Sequence, residues 1–344
     1  MNQSSKIKVG VLRGGPSSEY DVSLKTGASV LSGFAHEKFA DKYQAQDIFI
    51  SKDGIWHISG APVSPQKAIH EFDVLWNAMH GEYGEDGKIQ SFLDHHMVPY
   101  TGSRTLGSAL GMNKVLAKEI FKKHGIKTPH YITIEWMPAF EVDSTALHAR
   151  AQEVFRTFPI PLVVKPVSAG SSVGVSIVKV FGELEPALRQ AFVVANARAQ
   201  GTKGVILIEE YISGVEASAG VVEKFRGQDV YSLPVVEIRS RDTFFNYDSK
   251  YSEGGHEGII PGNFSREQKD EMERLAREAH QALGLRHYSR TDFIVSPRRG
   301  IYVLEINTLP GMTPMSLLPL SLAAVGASLP DFIDHIVGLA LEQK

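Results

Sequence analysis

Residues 289–316 read SRTDFIVSPRRGIYVLEINTLPGMTPMS, and four polar side chains within them, Arg290, Asp292, Glu305 and Asn307, have types and spacing suited to chemistry. Two runs rich in β-branched and aromatic residues, SRTDFIVS and IYVLEIN, flank a Pro-Arg-Arg-Gly turn, which predicts an antiparallel hairpin. Register counted from Pro297 facing Gly300 sets Asp292 opposite Glu305 and Arg290 opposite Asn307, all on one face. Phe293, Val295, Tyr302, Leu304 and Ile306 then form the apolar face. Carboxylates opposed in this way stand about 5 Å apart at Cβ and repel unless a cation lies between them. Two carboxylates and an amide carbonyl suit a hard divalent cation such as Mg²⁺, which typically combines one or two protein carboxylates with substrate phosphates. An ion-pair ladder, with Arg290 neutralising one acid, is the other reading, but it leaves the second carboxylate and Asn307 without a role. The Gly- and Pro-rich stretch 308–314 predicts irregular backbone whose N–H groups face a ligand.

Other candidate groups stand at strand ends. KIKVGVL runs into Gly-Gly-Pro-Ser-Ser-Glu, which puts Glu19 outside the carboxyl end of a strand, where α/β folds bind ligands. GGPSSE lacks G-x-G-x-x-G, so a dinucleotide site is not expected. His80 opens HGEYGEDG after a second such strand and shares the rim with Glu19 if that sheet is parallel. PLVVKP runs into VSAGSSVG and out through VSIVKV; this strand, small-residue loop and strand differ from a P-loop, yet Gly170, Ser171, Ser172 and Gly174 offer N–H and hydroxyl donors to phosphate oxygens. Lys165, ending a buried strand, needs an anionic partner.

The elements that must position these groups read as an α/β chain. Strands are expected at 6–12, 46–51, 72–79, 130–134, 161–166, 175–180, 205–212, 217–224 and 230–239, with Pro99-Tyr100-Thr101-Gly102 as a further strand leading out of the first domain. Helices are expected after Glu19 and at 88–95, 113–124, 144–158, 183–197, 266–283, 317–325 and 331–342. The glycine-rich segment 240–263 shows no period and is long enough to be a lid. At 344 residues, 43% hydrophobic and 22% charged, the chain is larger than one core usually holds. Three domains are expected, over 1–103, 104–213 and 214–344. A net charge of −3 and a pI near 6.5 give no overall attraction to nucleic acid. The absence of cysteine excludes disulfides and thiolate metal sites. With no apolar leader before the first strand and no long apolar run, a cytoplasmic protein without a membrane partner is expected.

GGPSSEYDVSL, MHGEYGEDG, GMNK, VVKPVSAGSSVGVS, LIEEYISGVE, FFNYDSKYS, SRTDFIV and VLEINTLPGMTPMSLLP, in this order over nearly the whole chain, resemble the D-alanine–D-alanine ligases of the ATP-grasp superfamily. The resemblance implies a parallel N-terminal α/β domain followed by a two-lobed ATP-grasp fold. It also implies synthesis of D-alanyl-D-alanine for peptidoglycan from two D-alanines and ATP, releasing ADP and phosphate. It implies that Lys114, Lys165 and Lys250 touch ATP phosphates under a loop containing Ser172, that Glu209, Glu210, Tyr211 and Ile212 line the adenine slot, and that Glu216 holds the ribose. Asp292, Glu305 and Asn307 match a site for two Mg²⁺ ions, with Mn²⁺ as an alternative. Glu19 is expected to bind the first D-alanine's ammonium, with His80 nearby, and Ser171 and Tyr251 to form a hydrogen-bonded set with Glu19. Arg290 and the Gly311 backbone match an oxyanion hole, and Ser316 with Leu317 the carboxylate site of the second D-alanine. The family implies a homodimer. Tyr20-Asp21 and Val167-Ser168-Ala169 depart from the usual pattern at the pocket edge. A sister ligase using D-serine or D-lactate, and a nucleotide-binding regulator without turnover, are the rival readings; the intact catalytic set opposes the second.

Overall fold

The computed structural model describes residues 6–142, 144–168, 170, 173–199, 203–240 and 256–342. Within them the strands form three sheets. The first contains β1 (Ile7–Gly14), β2 (Tyr43–Ile50), β3 (Trp56–Ile58), β4 (Ala61–Val63) and β5 (Val74–Asn77) in the order β4-β3-β2-β1-β5. β1 runs parallel to both β2 and β5, which puts their C-terminal ends on one rim, and the β3–β4 hairpin adds an antiparallel edge. The near-continuous burial of β1 follows from cover on both faces. Val9 and Val11 meet the helix Tyr20–Phe34, while Leu12 with Ile48 and Leu75 packs on Ile89 and Leu93 of the helix Lys88–His95. The strand expected at 99–102 is only a single bridge, from Tyr100 to Leu75.

The second sheet contains β6 (Tyr131–Glu135), β7 (Leu162–Pro166), β8 (Ser176–Val178) and β9 (Val205–Glu210), in the order β6-β9-β7-β8 with antiparallel pairs throughout. The helices Ser144–Thr157 and Leu184–Arg198 cover one face through Leu147, Val154, Leu188 and Phe192. Lys165 and Glu209 belong to the lining of a cleft against this sheet.

The third sheet contains β10 (Val215–Phe225), β11 (Gln228–Ser232), β12 (Val236–Ser240), β13 (His256–Ile259), β14 (Tyr288–Ser296) and β15 (Gly300–Asn307). Its path is β13-β12-β10-β14-β15, with β11 also on β10. The single strand expected over 230–239 is broken at Leu233-Pro234-Val235, where proline has no N–H for a ladder. The segment read as irregular includes β13, which pairs on the open edge of β12 from Glu237↔Ile259 to Ser240↔His256. The neighbouring edge, which local sequence does not display, orders these residues. Helices Thr105–Met112 and Lys114–Lys123, together with Arg266–Ala282, pack on this sheet through residues such as Ala117, Phe121, Met272 and Leu275. The first of them was not expected from sequence.

The hairpin register differs from the count made at its turn. Ser296 pairs with Gly300, one step off the expected pairing, and a bulge between Asp292 and Phe293 on one strand and Val303 and Glu305 on the other restores Asp292↔Glu305 and Arg290↔Asn307. Two one-residue errors cancel at the polar positions. They do not cancel on the apolar face, where Val303 enters the core with Phe293 and Leu304 turns to line the cleft.

The last helix, Leu329–Leu341, returns to the first sheet. Phe332, Ile333, Ile336 and Val337 join Val9, Val11, Val30, Phe34 and Trp76 in one core. Asp334 accepts hydrogen bonds from Tyr43 Oη at 2.6 Å and Lys42 Nζ at 2.5 Å.

Candidate active site

Between the second and third sheets lies an open cleft. Lys114, Lys165, Glu209, Glu210, Tyr211, Ile212, Glu216, Asp292 and Glu305 all line it, with Val163, Ile177, Ile238, Ile294 and Leu304 as apolar walls. Lys165 stands near the end of β7, and Glu209 and Glu210 at the end of β9. Lys114 begins a helix whose cap, Asn113 Oδ1, accepts from the N–H groups of Val115 and Leu116 at 3.1 Å.

The anion that Lys165 needs is supplied from within the chain: its Nζ lies 2.6 Å from Glu209 Oε2. A second lysine, Lys118, reaches the other oxygen at 2.8 Å and donates to Thr128 Oγ1 at 2.5 Å. Burial drives Lys118 down to about 8 while Glu209 opposes that fall. Burial works to raise Glu209, yet Lys118 and Lys165 together hold it below the usual carboxylate range. Two buried cations against one carboxylate leave this wall of the cleft positive, which suits a polyanion.

Across the cleft, Asp292 accepts from Arg290 Nε at 2.9 Å and Nη2 at 2.8 Å, from Asn307 Nδ2 at 2.9 Å and from Ser218 Oγ at 2.7 Å. Glu305 faces Lys114 Nζ at 3.2 Å. Arg290 and Lys114 thus relieve the repulsion between the opposed acids in this state. Their oxygens face the same volume as the lysines, and two carboxylates with an amide that can turn its oxygen inward fit a hard cation bound together with a phosphate ligand.

The remaining candidates gather beside Arg290, at the rim of the first sheet. Glu19 is buried, and its Oε2 is the atom that a Cβ on Gly170 would approach to 2.2 Å and one on Gly81 to 2.6 Å. His80 Nε2 pairs with Thr26 Oγ1 at 2.8 Å. Burial, followed by the Arg290 charge, holds His80 down at about 4, so it is neutral at physiological pH. Gly311 closes on Ser316 and Thr26: a Cβ there would stand 3.0 Å from Ser316 Oγ. Ser316 precedes the helix Leu317–Ala324. The Leu317 side chain is buried against Val236 and Ile238, which leaves its backbone, with the Ser316 hydroxyl, to address a ligand at this helix start. Ser171, Ser172, Lys250 and Tyr251 lie outside the described residues.

Three groups were missed in the sequence. Lys118 falls beside Ala117 and one turn before Phe121 on the buried stripe of its helix, a readable conflict of charge with apolar pattern. Glu85 accepts from Gly81 N at 2.9 Å and Leu309 N at 3.1 Å, tying the His80 loop to the chain after β15; burial and then Glu19 push it up to about 8. Nothing in HGEYGEDG tells this acid from Glu82 or Asp86. Arg198 bridges two loops to the second sheet.

An antiparallel four-stranded lobe and a larger six-stranded lobe that enclose a cleft with paired lysines and opposed carboxylates define an ATP-grasp protein. Similarity to known proteins narrows the class. The family described as "D-ala D-ala ligase C-terminus" matches residues 120–338, and "D-ala D-ala ligase N-terminus" matches 60–103. The D-alanine–D-alanine ligase of Pelotomaculum thermopropionicum is 35% identical over 98% of this chain and 97% of its own, and that of Geotalea uraniireducens 37% identical over 97% and 95%. Among solved structures, the VanG D-Ala:D-Ser ligase of Enterococcus faecalis superposes with a TM-score of 0.80 at 27% identity, covering 98% of this chain and 100% of that one. The D-alanine–D-alanine ligase of Coxiella burnetii gives 0.76 at 25% identity, covering 99% and 95%. The chain belongs to the D-alanine–D-alanine ligase family.

Proposed function

We propose that the protein joins two D-alanines into D-alanyl-D-alanine for peptidoglycan, with ATP converted to ADP and phosphate. The observation that carries this reading is the continuity of the two groups of side chains: Arg290, bonded to Asp292 at the cleft, also acts by charge on His80 and Glu85 in the Glu19 pocket. A nucleotide phosphate and a small amino acid would therefore meet around one guanidinium.

A free carboxylate would have to expel oxide to react with an amine, so it must first become an acyl phosphate. Transfer of the γ-phosphoryl group needs positioning and neutralisation of charge, which Lys114 and Lys165 offer, with Lys250 from outside the described residues. Asp292, Glu305 and Asn307 would hold two Mg²⁺ ions, whose chemistry when bound is to neutralise phosphate charge. Glu209, Glu210, Tyr211 and Ile212 would line the adenine slot and Glu216 the ribose; Glu19 would hold the first D-alanine's ammonium beside His80, ordered by Ser171 and Tyr251, with Ser172 over the phosphates. Attack by the second amine builds an oxyanion for Arg290 and the Gly311 N–H, and Ser316 with Leu317 would receive the second carboxylate. Loss of one oxyanion donor typically removes about 3–4 kcal/mol of barrier lowering.

The divisions 1–103, 104–213 and 214–344 are proposed as a substrate domain and two nucleotide lobes, in keeping with one sheet in each. We further propose a cytoplasmic homodimer with no nucleic acid or membrane partner. Among the described residues no single helix is long and apolar enough to cross a membrane. The test is release of ADP that requires D-alanine. D-Serine and D-lactate belong in the same assay because the Enterococcus faecalis neighbour is a D-Ala:D-Ser ligase. ADP release without any need for D-alanine, or none at all, would refute the proposal.

A further inference from the structure

Glu85 follows β5 in the loop that carries His80 and Gly81, and its side chain is only 13% exposed. It holds Gly81 twice: its N–H donates to the Gly81 carbonyl at 2.8 Å, and its Oε2 accepts from the Gly81 N–H at 2.9 Å. Gly81 itself sits at φ +70° against Glu19 and Ser17. The Gly84 carbonyl accepts from Asn77 Nδ2 at 3.0 Å and Gln90 Nε2 at 2.7 Å, which fixes the loop to β5 and to the helix Lys88–His95.

The other oxygen of Glu85 leaves this loop. Oε1 accepts from Leu309 N at 3.1 Å, 224 residues further along the chain, with Thr308 Oγ1 at 3.5 Å, and the His80 ring also hydrogen-bonds the Leu309 backbone. The buried Leu309 side chain sets the depth of the strap after β15, while the bond to Glu85 sets the direction of its backbone. Leu309 is followed by Pro310 and Gly311. Proline fixes its own φ and confines the residue before it, so few soft torsions separate the held Leu309 N–H from the Gly311 N–H. Since Pro310 has no N–H, Gly311 carries the next donor of the strap, and its aim is inherited from Leu309.

We infer that Glu85 is a positioning residue for the ligation step: acting through Leu309, it aligns the Gly311 N–H of the oxyanion site with the pocket formed by His80 and Glu19. This deepens the ligase reading of the site and rests on it. The oxyanion exists only once the amine has added, so a misdirected donor costs rate rather than ground-state binding. The bond from Glu85 N to the Gly81 carbonyl survives any change of side chain, so the Glu19 pocket keeps its turn while the strap loses its tether.

The test is steady-state ADP release by wild type, Glu85→Ala and Glu85→Gln, beside thermal melts and calorimetric binding of D-alanine and of a non-hydrolysable ATP analogue with Mg²⁺. Glu85→Ala removes both acceptors and should lower kcat about 100-fold, the usual effect of a misplacement near 1 Å, with both binding affinities within about threefold of wild type. Glu85→Gln keeps the shape but offers one acceptor to two N–H donors, so its kcat should fall about tenfold, the equivalent of one hydrogen bond. A phosphinate analogue of D-alanyl-D-alanine, tetrahedral where the amine adds, should lose affinity in step with kcat/KM across the series, which a general loosening of the fold would not produce. If Glu85→Ala melts far below wild type, Glu85→Gln decides by the same criteria. A kcat within about threefold of wild type, a fall in kcat matched by equally weakened D-alanine binding, or unchanged phosphinate affinity overturns the inference. Wild type that releases no ADP in response to D-alanine would instead refute the ligase reading, a result the variants cannot mimic.

Discussion

Replacing Gly170 by alanine adds one methyl group where the structure has no room for it. The new Cβ would stand 2.2 Å from Glu19 Oε2 and 3.0 Å from its Cδ, whereas ordinary contact begins near 3.4 Å, so the carboxylate must retreat by about 1.2 Å (3.4 less 2.2). A buried side chain facing Gly81 on another side cannot do so freely, because the same oxygen, with Ser17 Oγ, already stands close to that glycine. A displacement near 1 Å at a group that orients a substrate typically lowers rate about 100-fold, or about 2.7 kcal/mol in kcat/KM. Overpacking itself destabilises by roughly 1–3 kcal/mol, so Tm should fall by only a few degrees. Steady-state ADP release with D-alanine varied at saturating ATP, beside a thermal melt, separates the two effects. The expected result is a large loss in kcat/KM for D-alanine with the ATP KM within about threefold of wild type. Wild-type kinetics in Gly170→Ala would mean that Glu19 does not need its position, and the assignment of the amino-acid pocket would fail.

Asp292→Asn and Glu305→Gln should each nearly abolish ADP release with the far-UV circular dichroism unchanged; a wild-type rate in either removes the cation assignment. Glu19→Gln should raise the D-alanine KM by roughly 10–100-fold, the equivalent of one lost charge-assisted bond, and the ATP KM far less. Lys118→Met should raise the ATP KM roughly tenfold, since Glu209 would then be held by Lys165 alone and one oxygen of a buried pair would lose its cation; an unchanged ATP KM would reduce Lys118 to a packing residue. Burial and then the Glu19 charge push Glu85 up from 4.5 to about 8, so the folded protein keeps a proton that the unfolded chain loses between those values. Its contribution is therefore full below about 4.5 and lost as pH rises through about 8. Melts from pH 5 to 9 should show wild-type Tm falling more steeply than that of Glu85→Gln, and parallel curves would exclude the raised carboxyl.

Strand and helix periods located most elements, because apolar spacing reports directly on which side is buried. Pairing that depends on a distant edge was not legible: β13 has no strand pattern of its own and takes its form from β12. The bulge in the β14–β15 hairpin was equally silent, and the polar register came out correctly only because the turn was misplaced by the same one residue. Lys114, Glu209, Glu210 and Glu216 were pointed to only by the family resemblance, whereas Lys165, Asp292 and Glu305 could be read from residue type and strand position. Glu85 and Arg198 could not, since each acts across elements that share no sequence neighbourhood, whereas Lys118 left a trace as a charge on an apolar stripe.

The return of the helix Leu329–Leu341 to the first sheet bears on how the protein is made. The strands of that sheet end with Asn77, but the face carrying Val9, Val11 and Trp76 is closed by residues that include Phe332 and Ile336. At roughly 5–20 residues per second on the ribosome, the 264 residues from 77 to 341 take about 13–50 s to synthesise. Throughout that interval the first unit carries an apolar face only partly covered, by the helix Tyr20–Phe34. Premature termination anywhere upstream of Phe332 should therefore yield a fragment that lacks part of this core and aggregates, rather than a shortened enzyme.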